Sequence, residues 1–184
     1  MAQLERGSLL VAEPFMGDPN FKRSVVLLTE HAPDEGSVGF VLNRLTEHGL
    51  GELLETDLYT DIPVYDGGPV QRNTLHFIHR VPQMITGGLH IADDMYWSGD
   101  FEQLRLYLKT DYLNPADFRF FIGYSGWAEG QLEQELKEKA WFVTHADQET
   151  IFSTDSEAFW NTILRKMGGR YRYMVNAPHN PRFN

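Results

Sequence analysis

Ser125 is the residue whose setting most invites chemistry. It lies in Phe121-Ile122-Gly123-Tyr124-Ser125-Gly126-Trp127-Ala128-Glu129-Gly130-Gln131-Leu132-Glu133, where an apolar strand pattern runs through glycines into a helical period. Strand-turn-helix corners of this kind carry active sites and anion sites in α/β proteins. A serine there is a potential nucleophile if a histidine takes its proton. The nucleophile elbow, however, needs glycine two residues after the serine, and Trp127 stands there instead. Spacing ties none of the seven histidines to Ser125. Helix N-capping, with the hydroxyl accepting an orphan amide of the first turn, accounts for the serine without catalysis.

Other clusters are weaker still. His76-x-x-His79 makes a metal pair on a helix, but Thr74-Leu75-His76-Phe77-Ile78-His79 reads as a strand, which sends the two imidazoles to opposite faces. His90 with Asp93 and Asp94 is a loose oxygen-rich group of a kind magnesium accepts, and an acidic turn after a strand is the simpler account. No metal and no cofactor is therefore expected. Asp66-Gly67-Gly68-Pro69 reads as a tight reversal. Neither a P-loop nor G-x-G-x-x-G is present, so nucleotide binding has no signature. Backbone amides at Gly67 and Gly68 can still hold a small anion or a partner carboxylate. Asn43 and Arg44 end an apolar strand and are expected to face the same cleft.

The elements that must position these residues follow from periodicity. Strands are expected over residues 9–13, 24–30, 38–43, 75–81, 89–92, 117–123 and 141–144. Val25-Val26-Leu27-Leu28 and Phe40-Val41-Leu42 are continuously apolar, as central strands covered on both faces should be. Asp100 caps a helix with Gln103 in the capping-box position and Phe101, Leu104 and Leu108 on one face. A second helix follows the glycine-rich corner, with Leu132 and Leu136 inward and Glu133–Lys137 and Glu135–Lys139 as exposed pairs. A third begins at the capping box Thr154-x-x-Glu157. It carries Phe159, Trp160, Ile163, Leu164 and Met167 as a stripe and ends at Gly168-Gly169. A shorter helix is expected over 51–55. Strands outnumber helices without strict alternation, which gives an α+β fold: a mixed, largely antiparallel sheet flanked by about four helices.

Composition narrows the class. The 184 residues suit one domain spanning the chain, with 42% hydrophobic residues and no run approaching a membrane span. The absence of cysteine removes disulfides, thiolate catalysis and cysteine-ligated zinc. The start lacks the pattern of a signal peptide, and a cytoplasmic protein is expected. Net charge is −10, unevenly spread. After Glu157 the only charged residues are Arg165, Lys166, Arg170, Arg172 and Arg182, which leaves 11 basic against 26 acidic groups on the rest. An acidic body repels phosphate backbones and argues against direct DNA contact. The basic segment 158–184 is read as part of the domain, folding back on that body.

Taken in order, the motifs resemble the YqgE/AlgH family. The resemblance rests on Gly7-Ser8-Leu9-Leu10-Val11-Ala12-x-Pro14, Asp18-x-x-Phe21-x-x-Ser24-Val25-Val26-Leu27-Leu28 and Glu30-His31. It continues through Gly36-Ser37-x-Gly39-x-Val41-Leu42-Asn43-Arg44, Gly67-Gly68-Pro69-Val70, Gly123-Tyr124-Ser125-Gly126-Trp127-x-x-Gly130-Gln131-Leu132-Glu133-x-Glu135-Leu136 and Trp141. Leu45 replaces a proline often found after the Asn-Arg pair, which should alter the exit from that strand but not the fold. The resemblance covers about Gly7 to Met167 and implies an α+β domain of bacterial type with no established enzymatic activity. One branch is described as a transcriptional regulator without a recognised DNA-binding motif.

The leading expectation is a non-enzymatic regulatory or binding domain with an unknown protein or small ligand as partner. Its site would be Asn43, Arg44, Gly67, Gly68, Ser125, Gly126, Trp127 and Gln131, residue types that shape a cleft without supplying a proton-transfer pair. One alternative is a serine hydrolase using Ser125, with His31 of the Glu30-His31 pair as base. Another is an RNA- or anion-contacting module, since Tyr171, Tyr173 and His179 interleave with Arg170, Arg172 and Arg182. A binding role requires Trp127 to be partly exposed.

Overall fold

The computed structural model describes residues 3–178, apart from 57, 60, 111, 146 and 153–155. Ten strands are present among them: β1 Leu9–Ala12, β2 Val25–Ala32, β3 Gly36–Val41, β4 Leu45–Gly49, β5 Pro63–Asp66, β6 Val70–His79, β7 Leu89–Ala92, β8 Met95–Trp97, β9 Phe118–Trp127 and β10 Trp141–Thr144. Three helices have seven residues or more: α2 Phe101–Thr110, α3 Gln131–Lys137 and α5 Phe159–Met167. Single turns form α1 Leu50–Leu53, α4 Gln148–Ile151 and α6 Tyr171–Met174. The fold is α+β. Its strand order is β10-β1-β2-β3-β9-β6-β8-β7, antiparallel along that path, while β4 pairs β5 and β5 runs parallel to β9.

The continuously apolar strands are covered on both sides, as their pattern requires. Leu9, Val11, Val25, Leu27 and Phe40 face a core shared with Phe159, Trp160, Ile163 and Leu164 of α5. Their neighbours Leu10, Ala12, Val26, Leu28 and Val41 face Trp127, Trp141 and Leu132 of α3. Further along, Phe77, Phe118 and Phe120 pack with Leu104 and Leu108 of α2. The stripe of α5 is therefore core, as its spacing indicates, and Trp160 donates its indole N–H to the Ala12 carbonyl at 2.9 Å.

β9 joins two halves of the sheet. One of its edges is taken by β6, and the other is shared by β5 at Phe120–Ile122 and β3 at Ser125–Trp127. The changeover occurs at Gly123, whose φ is +66°. That left-handed residue breaks the two-residue alternation. Phe121 and Tyr124, three apart, consequently pack on the same cluster. The Gly-Tyr-Ser-Gly segment thus lies inside a strand, and the turn comes later, at 128–130, with Gly130 (φ +70°) as the N-cap of α3.

Beside the changeover sits Gly67. Its N–H donates to the Ile122 carbonyl at 2.9 Å, and its carbonyl accepts the Val41 N–H at 2.9 Å and the Ser125 hydroxyl at 2.9 Å. A β-carbon on Gly67 would lie 2.4 Å from the Gly123 carbonyl oxygen. Glycine at 67 is therefore imposed by close approach of backbones.

Some local expectations are corrected. Asp100 does cap α2, accepting from the amides of Glu102 at 2.9 Å and Gln103 at 3.1 Å. The Gln103 side chain instead accepts from the Thr86 amide at 2.8 Å, and Phe101 is 41% exposed. The expected short helix at 51–55 is displaced to Leu50–Leu53. β4, β5 and β8 were not expected, and Leu45, in place of the proline, opens β4 opposite Tyr65. In the basic segment, Tyr171–Met174 form α6, and Tyr171 packs on Phe142 with ring centroids 5.0 Å apart. Thr154 of the expected capping box, with His179 and Arg182, falls outside the described residues.

Two buried ionisable side chains, Arg119 and His79, sit in the sheet. The Arg119 guanidinium donates to the carbonyls of Leu42 and Ile151, and its centre lies 4.1 Å from the Tyr65 ring centroid. Burial pushes its pKa down to about 10. His79 is fully buried beside Tyr96 and Phe118. The Val81 amide lies 3.3 Å from His79 Nδ1, so that nitrogen accepts, and Nε2–H donates to the Ser98 carbonyl at 3.0 Å. Acceptance at Nδ1 needs the neutral ring, whereas the bond to Ser98 is kept by either form.

Gly67→Ala should destabilise the protein by about 1–3 kcal/mol. Gly17→Ala, at a position with nothing within 4 Å of the added methyl, should stay within about 0.5 kcal/mol of wild type. Urea denaturation of the two variants checks this. A second expectation concerns acid. Burial lowers the pKa of His79, partly offset by its bond to Ser98, and lowers that of His76. A depressed folded-state value means that the unfolded chain binds more protons below the ordinary histidine range. Stability should therefore fall as pH drops from about 7 to about 5. A His76→Phe, His79→Gln variant should show a flatter urea midpoint across that range.

Candidate functional site

A β-bulge borders a cavity with a largely polar lining. β2 and β3 pair regularly as far as Leu28 opposite Gly39, and the register then jumps to Glu30 opposite Val38. The extra residue, Thr29, shifts everything after it by one position. His31 thereby comes opposite Ser37, and Ala32 opposite Gly36. The far side of β3 receives the end of β9, with Ser37 opposite Trp127 and Val38 opposite Gly126. Where the hairpin, β9 and the N-terminal segment meet lies an open cavity of about 520 Å³. Its lining includes Arg6, Glu30, His31, Glu35, Ser37, Tyr124, Gly126 and Trp127.

The polar groups of this cavity are partly organised. His31 Nδ1 lies 2.8 Å from Ser37 Oγ, and its Nε2 lies 3.9 Å from Glu133 Oε1 on α3. Arg6 donates to the His90 carbonyl at 3.0 Å. Tyr124 meets His76 edge-on with centroids 5.9 Å apart. Glu30 and Glu35 form no ion pair among the described residues.

Of the residues the sequence proposed, Gly126 and Trp127 line the cavity, together with His31. The others lie elsewhere. Asn43 is a splice between β2 and the end of β3: its side-chain carbonyl accepts the Val25 amide at 2.9 Å, and its NH₂ donates to the Arg23 carbonyl at 2.9 Å. Arg44 reaches the Pro19 carbonyl at 3.5 Å. Gly67 and Gly68 are buried against β9, and a β-carbon on Gly68 would lie 2.3 Å from Ser125 Oγ. Gln131 organises the start of α3, accepting the Ala128 amide at 3.0 Å and donating to Glu135 at 2.9 Å.

Ser125 caps no helix. Its side chain is fully buried and spends its proton on the Gly67 carbonyl. The Ser125–His31 pair is not formed, since His31 is engaged with Ser37. Ser37 was missed because nothing in its linear spacing from His31 announces a bulge. In strand pairing a single inserted residue decides which side chains face each other.

Trp127 also departs from expectation. It is only 4% exposed, packed face to face with Phe21 at 5.8 Å and edge-on to Trp141 at 6.1 Å. The indole N–H groups of Trp127 and Trp141 both donate to Glu135 Oε2, at 2.9 and 2.7 Å. Glu135, expected to pair with Lys139, instead serves as the common acceptor of two buried rings. Glu133, expected to pair with Lys137, faces His31.

His76 faces Phe40, Trp97 and Tyr124, whereas His79 faces Phe77, Tyr96 and Phe118. His90 bonds the Asp93 carbonyl at 2.7 Å, closing a turn. Among the described residues no group of three or more His, Asp or Glu is arranged to hold a metal. Nor does any described helix have the length and apolarity to cross a membrane.

Residues 9–172 match the family model described as AlgH-like. The chain belongs to the AlgH-like family. A protein of Cytophaga hutchinsonii named UPF0301 is 42% identical over 182 residues, covering 98% of this chain and all of the relative. A UPF0301 protein of Chlorobium limicola is also 42% identical, covering 99% of this chain and 97% of its own. Among solved structures, the solution structure of AlgH from Pseudomonas aeruginosa matches with a TM-score of 0.76 at 27% identity, over 97% of this chain and 98% of that one. The crystal structure of DIP2367 from Corynebacterium diphtheriae shares the fold with a TM-score of 0.75 at 21% identity, over 94% of this chain and 92% of that one.

Trp127 and Trp160, 4% and 2% exposed, should behave alike on truncation. Trp127→Ala and Trp160→Ala are each expected to cost about 3–5 kcal/mol in chemical denaturation. A Trp127→Ala loss below about 1 kcal/mol would show that its ring contributes as a surface wall and not as core.

Proposed function

We propose that this family member is a binding domain with regulatory use, and that its working surface is the cavity framed by the β2–β3 hairpin and the end of β9. The observation that carries the reading is the gathering of Arg6, Glu30, Glu35 and Tyr124 around one cavity of about 520 Å³. A few convergent polar groups in a cavity of this size are what small-ligand sites present. The unpaired carboxylates Glu30 and Glu35, with Arg6 across the rim, suit a small ligand that carries an amine and a carboxylate, or a partner side chain of that chemistry. Trp127 supports this surface from beneath, and the clamp on Glu135 holds α3 against it.

The alternatives have less behind them. A hydrolase built on Ser125 lacks exposure and, among the described residues, a histidine partner for that serine. For RNA contact, Arg170 and Arg172 engage the hydroxyls of their neighbours Tyr171 and Tyr173, at 3.5 and 2.7 Å.

A titration of the ¹⁵N-labelled protein with small amines, amino acids and carboxylates tests the proposal. Amide resonances of residues 35–38 and 126–127 should move together, and Arg6→Ala with Glu30→Gln should abolish the movement. Shifts confined to residues outside the cavity, or unaffected by both substitutions, would overturn it.

A further inference from the structure

We propose that the outer edge of β10 is a docking site for an extended, acidic segment of a protein partner, which adds to the sheet as a further strand. This surface is separate from the hairpin cavity and does not depend on a ligand there. β10 ends the strand order and pairs with β1 alone. Hydrogen-bond alternation decides which of its backbone groups face outward. The Ala12 amide donates to Ser24 on the β2 side, and the Glu13 amide donates to the Ala140 carbonyl on the β10 side. Ala12 stands opposite Trp141 and Leu10 opposite Val143, so the pairs without mutual bonds fall at these two residues. The N–H and C=O groups of Trp141 and Val143 therefore point away from β1, and they meet no partner among the described residues.

A cavity of about 290 Å³ lies along that edge. Its lining takes Leu136, Trp141 and Val143 from the α3 side of the sheet, and Phe142 and Tyr171 from the α5 side. A hollow that receives side chains from both faces of a sheet sits at its rim. Native sheets blunt such rims with proline, a bulge or a covering element. Trp141–Thr144 contains no proline, keeps regular register with β1 and consists of residues that favour strands.

Charge selects the occupant. The remaining lining residues are Lys139 and Arg170, both exposed, and no carboxylate lines the cavity. Neither cation forms an ion pair among the described residues. Glu135, four residues before Lys139, is withheld from it: one oxygen takes both indoles and the other takes Gln131. Arg170 lies 5.2 Å from the Tyr171 ring centroid and reaches only its phenol, at 3.5 Å. On a chain of net charge −10, two unpaired cations beside a bare strand edge attract a segment rich in carboxylates. Strand addition then supplies main-chain bonds, and the cavity selects alternate side chains. A second copy pairing through the same edge brings the same two cations and lacks that complementarity.

A fluorescent peptide of about six alternating glutamate and valine residues, the usual length of a strand, tests the proposal on the full chain. Its anisotropy should rise on binding, and the ¹⁵N amide resonances of Trp141 and Val143 should move as it is added. An alternating lysine–valine peptide should bind at least about tenfold more weakly. Val143→Pro removes one outward donor and spares the bonds to β1, so it should weaken the glutamate peptide about tenfold. Lys139→Gln with Arg170→Gln should weaken it by about as much and flatten its salt dependence. Urea midpoints check that each variant folds, and the exposed glutamine pair keeps the test open if the proline variant does not. No binding of the glutamate peptide, equal binding of the lysine peptide, or affinity unchanged in both variants would overturn the docking edge. Resonance shifts at 35–38 and 126–127 in place of 141 and 143 would do the same, by placing the peptide in the hairpin cavity. A dimer in sedimentation that Val143→Pro dissociates would give the edge to a second copy and overturn the acidic partner.

Discussion

Everything in this sheet is arranged around three bonds at Gly67. Its amide ties the end of β5 to β9 through Ile122, and its carbonyl takes both the β3 amide of Val41 and the hydroxyl of Ser125. β9 must serve β5 and β3 along one edge, and Gly67 fills the gap where one partner gives way to the other. Neither Gly67 nor Gly123 can carry a side chain without displacing backbone. Buried backbone groups must find partners, and here the partners of one residue come from two strands, β3 and β9, at once. Ser125 belongs to this junction, which is why its hydroxyl faces inward.

The site inherits its geometry from two irregularities in otherwise regular strands. Gly123 resets the alternation of β9, so that Tyr124 and Gly126 face the cavity side while Trp127 enters the α3 core. Thr29 does the same for β2 and turns the His31-Ser37 pair toward α3. In both strands the apolar residues before the irregularity are core and those after it are polar or pocket-lining. The pair Trp127–Trp141, bonded to one carboxylate of α3, joins the two regions.

Much of the architecture is legible from residue pattern. The apolar runs of β1, β2, β3 and β9, the stripe of α5, the cap at Asp100 and the break at Gly168 all follow from local physics. Strands β4, β5 and β8 are short and carry neither alternation nor a long apolar run, since their pairing partners supply the order. Glycines at 123 and 126 imitate a turn because conformational freedom has the same sequence signature whether a loop or a crowded strand needs it.

By itself the sequence determines the family, the α+β class, the covered central strands and the absence of thiol chemistry. It also brings Glu30-His31 and Gly126-Trp127 to notice. Only the tertiary structure decides which side chains meet. Strand register fixes that, and register depends on a one-residue bulge and a left-handed glycine whose effects are felt across the sheet rather than along the chain. His31 therefore faces Ser37 and not Ser125, and Trp127 is core beneath the cavity rather than its exposed wall.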